Sequence, residues 1–298
     1  MSEFEQWTVD KPWLDIRCSL GEGPFYEKET NSVRFVDIKK KHLHTVSVTE
    51  GQSSLKSLEF DVAVTVTCDI EGVDPQDRIL IGLKHGLALL DRKTGNYDII
   101  AEFKQPRDER LRSNDGAADP LGNFWLGTMS DFGYDLQPEG SLLYYTSGTL
   151  KEVVDGLSIP NSVGWSPDNR TFYFTHSTAR EVIAFDYDPA TGGVSNKRVF
   201  YQHEGPGEPD GFRVDVDGNI WHAVYGESRV LKISPQGKLV GQINLPTRNI
   251  TCVQFVGTEL VITTASDEEG DAKSQENGGA VFRVDVGVAG LDLFKYRA

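Results

Sequence analysis

The chain of 298 residues has 45 acidic and 30 basic side chains, and its formal charge is −15. Such a protein is a poor match for nucleic acid or an anionic membrane, because phosphate neutralisation requires clustered lysine and arginine. We therefore expect neither partner. The three cysteines, Cys18, Cys68 and Cys252, do not form a disulfide framework, and no apolar run approaches the roughly 20 residues that span a bilayer. The first residues lack the basic and apolar segments of a signal peptide, so the expected location is cytoplasmic.

A short strand-like segment recurs six times along the chain, at intervals of roughly 45 residues. Each copy follows a polar turn and consists largely of β-branched, aromatic or other apolar residues, as strands do. The copies occupy 31–37, 77–82, 122–127, 169–174, 218–223 and 257–262. A period of this length, repeated six times, is typical of propeller blades that contain four short strands.

The repeat predicts an all-β fold, namely a six-bladed β-propeller with four-stranded blades around a central channel. It continues along the chain without a linker, so we expect residues 1–298 to form a single domain. Residues 1–15 are expected to pack on the last blade or to close it. A pair of β-sandwiches or another all-β solenoid is the alternative that this strand content allows.

Four polar residues lie at nearly equivalent positions of the repeat: Glu22, Asn114, Asn161 and Asp210. The separations are 161 − 114 = 47 and 210 − 161 = 49 residues, and 114 − 22 = 92 is twice 46. Equivalent positions of a circular repeat face a common axis, so two carboxylates and two carboxamides should meet in the channel. An oxygen-rich site of this kind suits a hard divalent cation.

These residues belong to short motifs that together resemble a known family, that of senescence marker protein, gluconolactonase and luciferin-regenerating enzyme. The resemblance extends from Ile16 to Tyr296. The motifs are Leu20-Gly21-Glu22-Gly23-Pro24, Arg112-Ser113-Asn114-Asp115-Gly116, Gly127-Thr128-Met129, Pro160-Asn161-Ser162, Pro209-Asp210-Gly211 and Gly278-Gly279-Ala280. Each motif is weak by itself, and their common order and spacing make the match specific.

The resemblance implies an enzyme that hydrolyses a sugar lactone with one divalent metal ion in its channel. It implies that Glu22, Asn161 and Asp210 hold the metal. It further implies that Arg112 contacts the substrate, that Asn114 lies beside the metal, within reach of metal or substrate, and that Asp210 is the usual candidate for the general base.

The chain departs from the family at two places. Asp131-Phe132-Gly133 stands where animal members have a glutamate that touches the sugar, and 251–257 lacks a double glycine. The resemblance therefore leaves the particular sugar open.

Residue chemistry is consistent with this reaction, because a divalent ion can polarise an ester carbonyl and lower the pKa of bound water. The oxygen ligands suit calcium, magnesium or manganese, and zinc is also possible. Asp210, Asp115 and a metal-bound hydroxide are all candidates for activating water. Arg112 offers a planar set of donors to sugar hydroxyls or to a product carboxylate.

The leading prediction is metal-dependent hydrolysis of an aldonolactone to the aldonic acid. The expected partner is the small-molecule sugar lactone, and the expected assembly is a monomer or a weak dimer. A hydrolase of aryl esters or phosphotriesters on the same site is one alternative. A non-catalytic, calcium-binding regulatory propeller is another, because a fold alone does not determine function.

Overall fold

The strands of the protein form six sheets, antiparallel except for one parallel edge strand, in a computed structural model that describes residues 4–104 and 106–298. Strand β1 (Glu5–Thr8) precedes the first sheet. Blade one contains β2 (Gly21–Glu27), β3 (Ser32–Asp37), β4 (His42–Ser47) and β5 (Lys56–Glu59). Blade two contains β6 (Val64–Asp69), β7 (Arg78–Leu83), β8 (Gly86–Asp91) and β9 (Tyr97–Glu102). Blade three contains β10 (Leu111–Ala118), β11 (Phe124–Ser130), β12 (Gly140–Thr146) and β13 (Thr149–Leu157).

The second half of the chain forms the remaining three blades. Blade four contains β14 (Pro160–Trp165), β15 (Thr171–His176), β16 (Glu181–Tyr187) and β17 (Val194–Gln202). Blade five contains β18 (Glu208–Val214), β19 (Ile220–Tyr225), β20 (Arg229–Ile233) and β21 (Leu239–Asn244), and blade six contains β22 (Ile250–Val256), β23 (Glu259–Thr264) and β24 (Phe282–Asp285). The connections include a short helix, α1 (Ala272–Asn277), and two 3-10 turns, Gly51–Ser54 and Ser177–Ala179. No described helix is long and apolar enough to cross a membrane.

The six sheets close into a ring, which confirms the predicted six-bladed β-propeller. The innermost strands β2, β6, β10, β14, β18 and β22 each pack against the next, and β22 packs against β2. The six repeated segments of the sequence are confirmed as strands, because each corresponds to the second strand of a blade. Four blades have four strands, whereas blade five gains β1 as a fifth strand and blade six has three.

The N-terminal segment joins blades five and six. Strand β1 runs parallel to β21, with Glu5 opposite Gly241. Farther along, the backbone N–H groups of Trp13 and Leu14 both donate to the carbonyl of Val281, next to β24. Of residues 1–15, which the sequence predicts to pack on the last blade, residues 1–3 lie outside the described part of the chain.

The C-terminal segment crosses the ring at the end where the innermost strands finish. The backbone N–H of Leu291 donates to Val214 in blade five, and that of Tyr296 donates to Asp69 in blade two. The Arg297 N–H then donates to the Gly122 carbonyl in blade three. The predicted metal and substrate residues lie near the opposite end of the channel, where the innermost strands begin.

Candidate active site

A β-bulge interrupts the innermost strand of every blade, and the predicted site residues lie at or beside these bulges. In blades three, four and five the bulges contain Asn114-Asp115, Asn161-Ser162 and Asp210-Gly211. In blade one the register shifts between Glu22 and Phe25. An extra residue locally breaks the alternation of a strand and redirects its side chains. The bulges therefore let polar side chains leave the sheet and turn toward the channel.

The other two blades have a threonine at the same place. Thr65 lies at the bulge of blade two, and its hydroxyl is 2.7 Å from that of Ser113. Thr251 lies at the bulge of blade six and donates to the Gly21 carbonyl. Because these side chains are uncharged, the acidic groups of the site come from blades one, three and five.

Hydrogen bonds connect the site residues of blades three, four and five. Arg112 Nη1 donates to Asn114 Oδ1 at 2.8 Å. Asn114 Nδ2 donates to the Pro160 carbonyl at 2.9 Å. Asn161, the next residue, donates through Nδ2 to Asp210 Oδ1. The structure therefore brings Arg112, Asn114, Asn161 and Asp210 into one connected group.

Glu22 makes no hydrogen bond to this connected group among the described residues, but its charge interacts with the carboxylate of Asp210. Its carboxylate accepts from the Gly23 N–H at 2.9 Å, the one hydrogen bond it has among the described residues. Burial and the neighbouring Asp115 carboxylate raise the pKa of Glu22 to about 8. Burial and the charges of Glu22 and Asp115 likewise raise the pKa of Asp210 well above its ordinary value. A cation among these acids would relieve both effects.

Asp115 is held in a fixed orientation by blade four. Ser162 Oγ donates to Asp115 Oδ2, and the Gly116 N–H donates to Asp115 Oδ1 at 2.7 Å. Ser162 Oγ also accepts from the Phe212 N–H at 3.1 Å. Asp115 is a candidate base predicted from the sequence, whereas Ser162 is not predicted, although its place directly after Asn161 was an available signal.

Arg112 lies beneath a loop that follows β11. The centre of the Phe132 ring is 4.5 Å from Arg112 Cζ. Arg112 Nε is buried without a hydrogen-bond partner among the described residues, 3.9 Å from Asp131 Oδ1. Asp131 is engaged by Lys84, whose Nζ is 2.8 Å from Asp131 Oδ2. Burial lowers the pKa of Arg112 to about 10, so the side chain stays cationic at neutral pH.

The donor set fits a divalent cation in its chemistry. Glu22 and Asp210 supply carboxylates, and Asn161 supplies a carboxamide. A flip of the Asn161 amide exchanges its nitrogen and oxygen, so that the oxygen can face a cation. Within 4–104 and 106–298, no three His, Cys, Asp or Glu side chains form a metal-binding group by themselves. Only two of the three candidate metal ligands are acids, so the site also depends on the Asn161 carboxamide.

The sequence and the propeller fold of this chain match a known class of proteins. The chain belongs to the SMP-30/gluconolactonase/LRE-like family, whose model matches residues 20–266. It is 32% identical over 297 residues to the pentonolactonase XacC of Haloferax volcanii, covering 95% of this chain and 96% of that protein.

Two solved structures are also similar over nearly the whole chain. A luciferin-regenerating enzyme has a TM-score of 0.86 and 30% identity, covering 95% of this chain and 96% of the other. A calcium-binding protein, regucalcin, from Agrobacterium tumefaciens has a TM-score of 0.87 and 25% identity, covering 98% of both chains.

Proposed function

We propose that this protein is a metal-dependent hydrolase that converts a sugar lactone, an aldonolactone, to the aldonic acid. The observation that supports this most strongly is the cluster of three buried carboxylates, Glu22, Asp115 and Asp210, beside the Arg112 guanidinium. Family membership and the likeness to a pentonolactonase support a lactone as the substrate class.

Glu22, Asn161 and Asp210 are the residues that would hold the metal. Calcium, magnesium, manganese and zinc all accept such oxygen ligands, and a bound divalent ion would polarise the lactone carbonyl. The similarity to a protein described as calcium-binding supports a divalent cation at this site.

Arg112 would orient the substrate. Its Nη1 is used by the Ser113 carbonyl and by Asn114, whereas its Nε has no partner among the described residues. Part of the guanidinium therefore remains for a sugar hydroxyl or for the carboxylate of the product. The Phe132 ring covers this guanidinium and limits its access to water.

We assign activation of the attacking water to Asp210 rather than to Asp115. Asn161 engages only Oδ1 of Asp210, so Oδ2 is left to accept a proton. Both oxygens of Asp115 already accept hydrogen bonds, from Gly116 and Ser162. Asp115 would then act through its charge and by fixing Ser162.

The test is proton release from a panel of sugar γ- and δ-lactones, with metal-free protein and after addition of each metal. We expect metal-dependent acceleration over the spontaneous rate. In Glu22→Gln the metal-dependent acceleration should be at least about 100-fold smaller than in wild type, because cation binding fails. Asp115→Asn should keep part of the acceleration. Glu276→Gln, on the exposed face of α1, is the matched control and should behave like wild type.

Two outcomes would contradict the proposal. The first is full acceleration by metal-free protein. The second is no acceleration of any lactone with any metal. In the second case, hydrolysis of aryl esters or phosphotriesters would favour the related hydrolase, whereas cation binding without turnover would favour a calcium-binding regulatory propeller.

A further inference from the structure

We propose that Lys84 is a positioning residue that keeps the Arg112 guanidinium free for the lactone by holding the Asp131 carboxylate away from it. The inference rests on the proposed function and extends it to a residue outside the predicted set. Lys84 lies in the connection between β7 and β8 of blade two, and Asp131 directly follows β11 of blade three.

One edge of the Arg112 guanidinium has no partner among the described residues. Nη1 donates to the Ser113 carbonyl at 2.9 Å and to Asn114 Oδ1 at 2.8 Å. Nε is buried without a hydrogen bond, and Nη2 makes none to any described residue. Nε and Nη2 are the paired donors with which an arginine binds a carboxylate or two neighbouring hydroxyls. This edge is therefore the part of Arg112 that can bind substrate.

The Asp131 carboxylate lies beside this edge. Its Oδ1 is 3.9 Å from Arg112 Nε, about 1 Å beyond the length of a charge-assisted hydrogen bond. The Asp131 N–H donates to the Arg110 carbonyl at 2.6 Å, so the backbone is fixed and only the side chain needs to rotate. An aspartate that closed the gap would occupy the donors that the lactone needs.

Lys84 holds the other oxygen of that carboxylate. Its Nζ is 2.8 Å from Asp131 Oδ2 and 2.9 Å from Glu109 Oε2. The Lys84 backbone is anchored as well, because its N–H donates to the Ala63 carbonyl and its carbonyl accepts from the Ser113 N–H, both at 2.9 Å. The ammonium therefore has a fixed position from which it draws the carboxylate away from the arginine.

The competition for Asp131 takes place largely out of water. The side chains of Arg112, Asp131 and Lys84 are 4%, 13% and 19% exposed, whereas that of Glu109 is 63% exposed. Water screens a buried ion pair less than a surface pair, so the contact of Lys84 with Asp131 should dominate over that with Glu109. Without Lys84, Arg112 would be the one described cationic partner of Asp131 within 4.0 Å.

The experiment measures KM and kcat for a neutral sugar lactone with metal-loaded protein. Lys84→Met should raise KM about tenfold and leave kcat within about twofold, because Asp131 then competes with the substrate for Arg112. Mn²⁺ binding should not change, since Lys84 has no ion pair or hydrogen bond with a proposed metal ligand. Lys84→Arg keeps the cation and should stay near wild type.

The double variant Lys84→Met/Asp131→Asn separates this competition from a structural role. It lacks the competing charge, so it should bind the lactone almost as well as wild type, although Lys84→Met alone does not. A purely structural ion pair predicts instead that either single change weakens binding. Lys41→Met, in the corresponding connection of blade one, is the matched control, because it removes the same charge where Nζ donates to the Asp61 carbonyl.

An unchanged KM in Lys84→Met would overturn the inference, as would a double variant that is no better than Lys84→Met. An equal rise of KM in Lys41→Met would do the same, because it would assign the effect to net charge. Lys84→Gln is a second neutral variant if Lys84→Met does not fold.

Calorimetric titration with D-gluconate, an aldonic acid anion, repeats the comparison without turnover. The expected weakening in Lys84→Met and recovery in the double variant, without hydrolysis of any lactone, would support the inference and contradict only the proposed reaction. A wild-type protein that neither hydrolyses a lactone nor binds gluconate would overturn the inference together with the proposed function.

Discussion

Burial of carboxylates near one another is the residue-level property on which this site depends. An isolated buried charge costs several kcal/mol, and a protein avoids that cost by protonation or by pairing the charge with a cation. Glu22 and Asp210 each have a single hydrogen bond among the described residues. The metal-free site should therefore take up protons, and a bound cation should release them.

We predict that metal-free protein loses stability as the pH rises from 4.5 to about 8. The lower limit is the ordinary pKa of Glu22, which applies to the unfolded chain. The upper limit is the raised pKa of Glu22 in the folded protein. Between them the folded protein binds more protons than the unfolded chain. The free energy of unfolding therefore falls with rising pH, by up to roughly 1.4 kcal/mol per pH unit for each such group. The raised pKa of Asp210 acts in the same direction.

Urea unfolding in the presence of a chelator, at successive pH values across this range, measures the effect. Glu22→Gln should show a shallower decline than wild type because it lacks one of the titrating groups. The Glu276→Gln control should keep the wild-type slope. A stability that rises with pH in all three proteins would contradict this account of the site.

At the level of the strand, the bulges require close contacts between neighbouring blades. Gly211 follows Asp210 in the bulge of β18, and a Cβ atom there would lie 2.9 Å from Cys252 Cα in β22 and closer still to its side chain. Separations this short are not tolerated between carbon atoms, so glycine is needed for β18 and β22 to approach.

Gly211→Ala should lower the free energy of unfolding by roughly 1–3 kcal/mol, because β18 or β22 must shift to admit the methyl group. The shift would also displace Asp210, so metal-dependent lactone hydrolysis should fall. Urea denaturation and the lactone assay measure the two effects. Gly193→Ala is the control, since the atom nearest to its added Cβ is the Thr191 Oγ1 hydroxyl at 3.2 Å. Equal stability of both variants would contradict the packing argument.

The sequence predicted the second strands of the blades better than the innermost ones. Each second strand follows a recognisable turn, such as 119–122 before β11, and the turn residues mark its start. The innermost strands contain bulges, which disrupt the alternation by which strands are detected. The pairing of β1 with β21 could not be predicted from the sequence either, because it joins residues as distant along the chain as Glu5 and Gly241.

The candidate site could be predicted in part for the same reason. The intervals between Asn114, Asn161 and Asp210 follow the blade repeat, so these residues could be recognised from spacing. The position of Ser162 directly after Asn161 was the one signal for it, and its role depends on Asp115 in another blade, with which only the folded ring brings it into contact.

At the scale of the whole molecule, closure of the ring brings residues from different blades together in one site. Glu22 of blade one and Asp210 of blade five come close only because β22 packs against both β2 and β18. No single blade contains more than one of the three proposed metal ligands. The cation site should therefore form only when all six blades are assembled, and a bound cation should stabilise the closed ring.

The most direct test of the central claim is to titrate metal-free protein with Mn²⁺ while following lactone hydrolysis and bound Mn²⁺ in the same samples. The rate should rise in proportion to bound Mn²⁺ and level off when one ion is bound to each chain. Glu22→Gln should neither bind the ion nor accelerate hydrolysis at the same concentrations. Wild-type turnover by metal-free protein, or by Glu22→Gln without bound metal, would contradict the claim that this axial site is a metal-dependent lactonase.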